Sequence, residues 1–190
     1  MSILSRTSSW VTALILVCVV AVTRSGHFGS AVALPDATLA VFFLAGAIVA
    51  SAWVVPALLV EAALVDYISI TVQGVSSFCV TPAYTFLIPT YAALWFAGRW
   101  YTRRAQQGHL ALRPLALAVV GGTSVAFLIS NASFYALSGY FGALPATTYA
   151  TLVARYFPQY LGGTVFYVAV GVALARVARH RAAMTLTQRV

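Results

Sequence analysis

Ala57-Leu58-Leu59-Val60-Glu61-Ala62-Ala63-Leu64-Val65-Asp66-Tyr67-Ile68-Ser69-Ile70-Thr71-Val72 runs directly into Gln73-Gly74-Val75-Ser76-Ser77-Phe78-Cys79-Val80-Thr81-Pro82. The first part is apolar over nearly the length of a bilayer crossing, and the second is polar and interrupts it. No soluble surface is available to enclose such a segment. The whole chain of 190 residues is 62% hydrophobic and 7% charged, with a mean hydropathy of +0.92. These values describe an integral membrane protein. The expected fold is all-α, a single compact six-helix membrane domain over residues 1–190 with the lipid bilayer as its partner, because each span takes roughly 20 residues.

Working outward, span one is expected at about 10–23, span two at 37–55, and span three at 57–72, with Pro56 suited to the start of a helix. Span four follows at 83–96, span five at 115–137 and span six at 160–178. A short helix at 146–157 precedes the last span. Arg6 stands ahead of span one, but 20–24 offers no small-x-small cleavage site, so span one reads as a retained helix.

Arg99, Arg103, Arg104 and Arg113 flank the connection between spans four and five, and Arg176, Arg179, Arg181 and Arg189 follow span six. By the positive-inside rule these ends are cytoplasmic, and so are both termini. The net charge of +8 then serves orientation and lipid contact. Nucleic-acid binding is excluded as a reading, since no basic stripe sits on a soluble domain.

That topology sends 24–36, 73–82 and 138–159 to the outer side. Cys79 lies there, together with His27, Tyr84, Tyr135, Tyr140, Phe141, Tyr149, Arg155 and Tyr156. An interfacial aromatic belt accounts for part of this collection. Within the membrane the costly residues are Glu61, Asp66 and Asn131. Asp66 shares a helical stripe with Ser69, Ile70 and Gln73 that leads into the Cys79 segment. Glu61 lies about 140° away around the helix and reads as structural, paired or protonated. Asn131 lies on a polar stripe with Ser124, Tyr135 and Ser138, where interhelical hydrogen bonding and ligand contact are equally good readings.

The chain has no lysine, and therefore no Gly-x-x-x-x-Gly-Lys nucleotide loop. No nucleotide cofactor is expected. His-Glu-x-x-His, Cys-x-x-Cys and Gly-x-Ser-x-Gly are likewise missing from the sequence. What remains is a thiol at a polar break between membrane helices. A soft sulfur there suits a metal-bearing organic ligand.

Six short spans, an aromatic-rich outer mouth and Ser76-Ser77-Phe78-Cys79-Val80-Thr81-Pro82-Ala83-Tyr84 with Asp66 upstream resemble the S-components of energy-coupling-factor (ECF) vitamin transporters. More narrowly, they resemble the solitary cobalamin-specific BtuM family. The resemblance implies a protein of the bacterial cytoplasmic membrane that binds vitamin B12 as substrate, with Cys79 as the axial cobalt ligand. It also implies that Asp66, Tyr84 and His27 line the pocket. Many S-components carry Ala-x-x-x-Ala in span one to dock on a shared coupling module. Here Ala13 is followed by Val17, which fits a solitary member better than one served by an ECF module.

On that reading cobalt is bound base-off, with sulfur in the lower axial position. The expected chemistry at Cys79 is loss of the cyano group from cyanocobalamin, because a strong sulfur donor weakens the bond across the metal. Phe78, Tyr84, Tyr135 and Phe141 would meet the corrin faces, Gln73, Thr81 and Asn131 its amide arms, and Arg155 its phosphate. Three alternatives stay open: an S-component-like binder of another vitamin or of a metal ion, a membrane enzyme with Cys79 as nucleophile, and a non-catalytic subunit of a larger complex.

Overall fold

The computed structural model describes residues 3–24, 34–49, 51–105 and 111–187, with side chains from 10 to 177 within those limits. The described residues form seven α-helices and no strand: α1 (Ile3–Arg24), α2 (Thr38–Ile48), α3 (Val54–Thr71), α4 (Leu87–Arg104), α5 (Leu112–Leu137), α6 (Ala146–Ala154) and α7 (Phe157–Thr187). Two 3-10 turns, Ser77–Cys79 and Pro82–Phe86, join α3 to α4. Three helices, Val54–Thr71, Leu112–Leu137 and Phe157–Val177, are long and apolar enough to cross a membrane. The chain is therefore an all-helical protein with membrane-spanning character.

Proline marks where these elements begin. All seven prolines lie at or just before a start: Pro56, Pro89, Pro114 and Pro158 in the first turns of α3, α4, α5 and α7, Pro82 in the second 3-10 turn, and Pro35 and Pro145 just ahead of α2 and α6. A first-turn residue has no intrahelical acceptor for its amide, so the missing N–H of proline costs nothing there.

The central element is α2, whose residues Ala40, Val41, Phe42, Phe43 and Ala45 are all at most 1% exposed. It packs most extensively on α4, with α1 and α7 on its other sides. Two glycines make that contact close. A Cβ on Gly46 would collide with the Trp95 carbonyl, and a Cβ on Gly98 with the Phe43 carbonyl. Each helix therefore offers a glycine to the other's backbone.

Several boundaries differ from expectation. The span expected at 37–55 divides, because α2 ends at Ile48 and Val54 and Val55 already belong to α3. Eleven residues rise only about 16 Å, so α2 is a buried core helix shorter than the bilayer core. The span expected at 83–96 begins later, at Leu87, since Pro82–Phe86 winds as a 3-10 turn, and it continues to Arg104. The last helix extends beyond both ends of the expected 160–178, and the short helix stops at Ala154.

Candidate functional site around Cys79

Helix α3 ends in a turn that aims the chain back over its own last residues. Gly74 takes φ +70, a left-handed conformation that suits glycine, and the Val75 amide donates to the Ser69 carbonyl at 3.0 Å. The chain then makes its first 3-10 turn, capped by Ser76 Oγ, which accepts from the Phe78 amide at 3.2 Å. Thr81 Oγ1 caps the second turn by accepting from the Ala83 amide at 3.3 Å. Cys79 ends the first turn as an exposed free thiol.

Beneath it lies a cavity of about 20 Å³ lined by Arg24, Asp66, Ser69, Val75, Cys79 and Tyr84, among others. Its floor is an ionic network. Arg24, at the end of α1 and 7% exposed, donates from Nε to Asp66 Oδ1 and from Nη2 to Asp66 Oδ2, each at 2.7 Å. Its Nη1 donates to Tyr91 Oη at 2.8 Å and to Thr38 Oγ1 at 3.2 Å. Asp36 stands 3.9 Å away and accepts from the Thr38 amide at 2.8 Å. Tyr84 Oη then donates to Asp66 Oδ2 at 2.7 Å. One guanidinium thus ties together α1, the start of α2, α3, α4 and the turn after Cys79.

Each group of the cavity is set by these contacts. Burial, then the hydrogen bond to Asp66 and its charge, push the Tyr84 phenol well above its ordinary range. Burial and the Asp66 carboxylate also push the Cys79 thiol up, while Arg24 opposes them. Ser69 is 5% exposed, and its hydroxyl oxygen is buried without a hydrogen-bond partner. With no partner among the described residues, this hydroxyl offers the cavity both a donor and an acceptor.

Cys79, Asp66 and Tyr84 therefore meet at one cavity, with Thr81 capping the turn between them. The other expected contacts lie elsewhere. Phe78 stacks on Tyr140, with ring centroids 4.5 Å apart, and meets Phe134 edge-on at 5.5 Å. Phe141 packs on Tyr149 at 4.7 Å, and Tyr135 lies 4.9 Å from Tyr149. These rings form an aromatic wall joining the Cys79 turn to the end of α5 and to α6. Tyr135 Oη donates to the Leu144 carbonyl at 2.7 Å. Asn131 is drawn into the same wall: its Nδ2 donates to the Phe127 carbonyl at 2.9 Å, and its Oδ1 accepts from Tyr149 Oη at 3.5 Å. Gln73 is exposed just past α3. Arg155, also exposed, lies with its guanidinium carbon 5.1 Å from the Tyr156 ring centroid and donates to Tyr156 Oη at 3.3 Å. His27 falls outside the described residues.

Arg24, Ser69 and Tyr91 were not expected as site residues. A signal for Arg24 exists in the sequence: the chain has three acids, Asp36, Glu61 and Asp66, and one arginine closing an apolar segment far from the other arginines needs a carboxylate partner. Among the described residues, no group of three or more His, Cys, Asp or Glu side chains gathers as a metal cage. Comparison with known proteins adds no relative: no protein-family model matches the chain, and no curated protein matches it in sequence.

Proposed function

We propose that this chain binds a corrinoid, cobalamin in particular, and serves its uptake across the bacterial cytoplasmic membrane as a solitary S-component-like protein of the BtuM type. Cys79 supplies an axial ligand to the cobalt. The observation that carries this reading is an exposed thiol on a turn held in place from below by Arg24, Asp66 and Tyr84. A bare metal ion held by protein alone takes three or more side-chain ligands. Cobalt in a corrin arrives with four equatorial nitrogens and asks the protein for one ligand. A single accessible sulfur fits that demand.

The cavity of about 20 Å³ takes no corrin ring, so the substrate meets Cys79 from its exposed side, over the turn and beside the aromatic wall. Cys79 gives its proton to water, and its sulfur lone pair enters the lower axial position that the benzimidazole base leaves. The stronger trans donor weakens the cobalt–carbon bond, and cyanide departs with its electron pair. Cobalt stays at the same oxidation state throughout. Asp66 is not the base for this step, because both of its oxygens already accept hydrogen bonds from Arg24 and Tyr84.

The six-span topology with cytoplasmic termini belongs to the same proposal, with the short α2 completing its crossing enclosed by its neighbours α1, α4 and α7. Its support is the placing of Cys79 ahead of α4 and of Arg103 and Arg104 in the last turn of α4. Helix α4 itself, eighteen residues or about 27 Å long, carries the chain from the segment after Cys79 to that positive end.

The test is the visible spectrum of the detergent-purified protein after incubation with cyanocobalamin, beside Cys79→Ser. The expected result is a retained chromophore with a shifted spectrum in the wild type only. A folded wild-type protein that retains no chromophore overturns the reading.

A further inference from the structure

Glu61 is the acid that the Cys79 site does not use. It is the eighth of the eighteen residues of α3, one of the three helices able to cross a membrane, so it sits close to the middle of the bilayer. Among the described residues, both carboxyl oxygens are enclosed and without a side-chain hydrogen-bond partner. The Ala21 amide of α1 is the backbone donor that approaches them, and it belongs to a continuous helix whose own ladder also claims it.

The charged and titratable groups around it have other commitments. Arg24 on α1 is the charged group that acts on Glu61. It would attract a carboxylate, yet it spends its Nε and Nη2 on Asp66 and its Nη1 on Thr38 and Tyr91. Asp36, ahead of α2, and Asp66, on α3 itself, take up that same positive charge. Tyr91 on α4 bonds Arg24, and Cys18 on α1 is exposed. An ionised carboxylate enclosed at mid-membrane without a charged partner of its own is among the most costly arrangements a helix can hold. The neutral acid avoids that cost.

We propose that Glu61 is a proton-binding site inside the membrane, at the contact of α1 and α3. It holds its proton while the two helices are closed on it and exchanges that proton with water when they part. A chain without a nucleotide loop draws the free energy of uptake from elsewhere. A proton taken up from one side and released to the other is a source that an acid at this place provides for. The proton site rests on α3 crossing the membrane and is independent of the role of Cys79, while its use as an energy source rests on the uptake reading.

The experiment is infrared spectroscopy of the full chain reconstituted in phospholipid vesicles at pH 7, wild type beside Glu61→Gln. A protonated-carboxyl stretch present in the wild type, lost in E61Q and displaced in heavy water is the expected result. Dicyclohexylcarbodiimide, which modifies protonated carboxyls in membranes, should add to the Glu61 peptide in the wild type and in Asp66→Asn, but not in E61Q. Glu61→Asp, which keeps the acid, stands in if E61Q does not fold, and its band should persist. No such band in the wild type shows an ionised Glu61 and overturns the proposal. A band that heavy water never moves shows a permanently sealed structural acid and overturns it equally. Neither readout uses cobalamin, so the outcome is separable from that of the corrinoid reading.

Discussion

Arg24 and Asp66, 42 residues apart in sequence, meet fork against fork, with Nε on Oδ1 and Nη2 on Oδ2 at 2.7 Å each. The pair joins α1 to α3, and through Tyr84 it reaches the turn that follows Cys79. Position and charge at the candidate site both descend from it.

Removing one partner leaves the other charged and buried. Arg24→Met should destabilise the protein by about 3–5 kcal/mol, the usual cost of stranding a buried charge. The double variant Arg24→Met/Asp66→Asn should recover much of the loss. Thermal unfolding of the detergent-purified proteins reads both, and a double variant no more stable than Arg24→Met alone would show that the pair is not the unit.

Tyr84 gives the network a dependence on alkaline pH. Its folded-state value is raised, so the native state keeps a phenolic proton that the unfolded chain loses near pH 10. Below that value its contribution is fully present, and it falls away as pH rises beyond it. Between pH 9 and 11 the wild type should therefore lose melting temperature more steeply than Tyr84→Phe. Parallel curves would contradict the assignment. At neutral pH, Tyr84→Phe should cost about 1.5–3 kcal/mol, as expected for a hydrogen bond to a charged group.

Cys79 should react late with pH. Burial and Asp66 hold its thiol above the ordinary value, and the thiolate is the reactive form. Alkylation by a membrane-impermeant maleimide, measured in a Cys18→Ser background, should keep accelerating past the pH at which a free peptide thiol levels off. Asp66→Asn should bring that plateau to lower pH. An unchanged profile would mean that Asp66 exerts no field at the sulfur.

Gly46 and Gly98 govern how closely α2 and α4 approach, each meeting the other helix's backbone carbonyl. A methyl group at either position has no flexible side chain to displace. Gly46→Ala or Gly98→Ala should cost about 1–3 kcal/mol or more, the range for overpacking, whereas Gly121→Ala, where a Cβ meets nothing within 4 Å, should be well tolerated. Comparing the melting temperatures of the three variants checks this.

Much of the architecture was readable from composition and punctuation. The helical class, the break after Thr71 and the helix after Pro145 follow from apolar runs and from prolines that mark helix starts. The division of the expected 37–55 span was not. Residues 38–48 are apolar on every side, and such a run carries no signal telling a bilayer crossing from a short core helix. At the site, Asp66 and Cys79 stood out because an acid in a span and a thiol in a polar break are costly or reactive wherever they fall, whereas Tyr84 was placed at the pocket only by the family resemblance. Phe78, Tyr135 and Phe141 were legible as aromatics near that end. Their packing on Tyr140 and Tyr149, with rings facing one another, depends on how α5 and α6 meet.

By itself the sequence determined the solvent, the secondary structure and the chemistry on offer: a chain too apolar for water, helices opened by prolines, and one thiol among polar residues. These are properties of residues and of their near neighbours, where local sterics and transfer free energy decide. Only the tertiary structure decided that Arg24 would be spent on Asp66, that Ser69 would lie beside Cys79, and that Glu61 would be enclosed with no side-chain donor among the described residues. Such pairings join residues dozens of positions apart. They depend on which helices touch and at what height, because a buried polar group takes its state from the few atoms within hydrogen-bond reach.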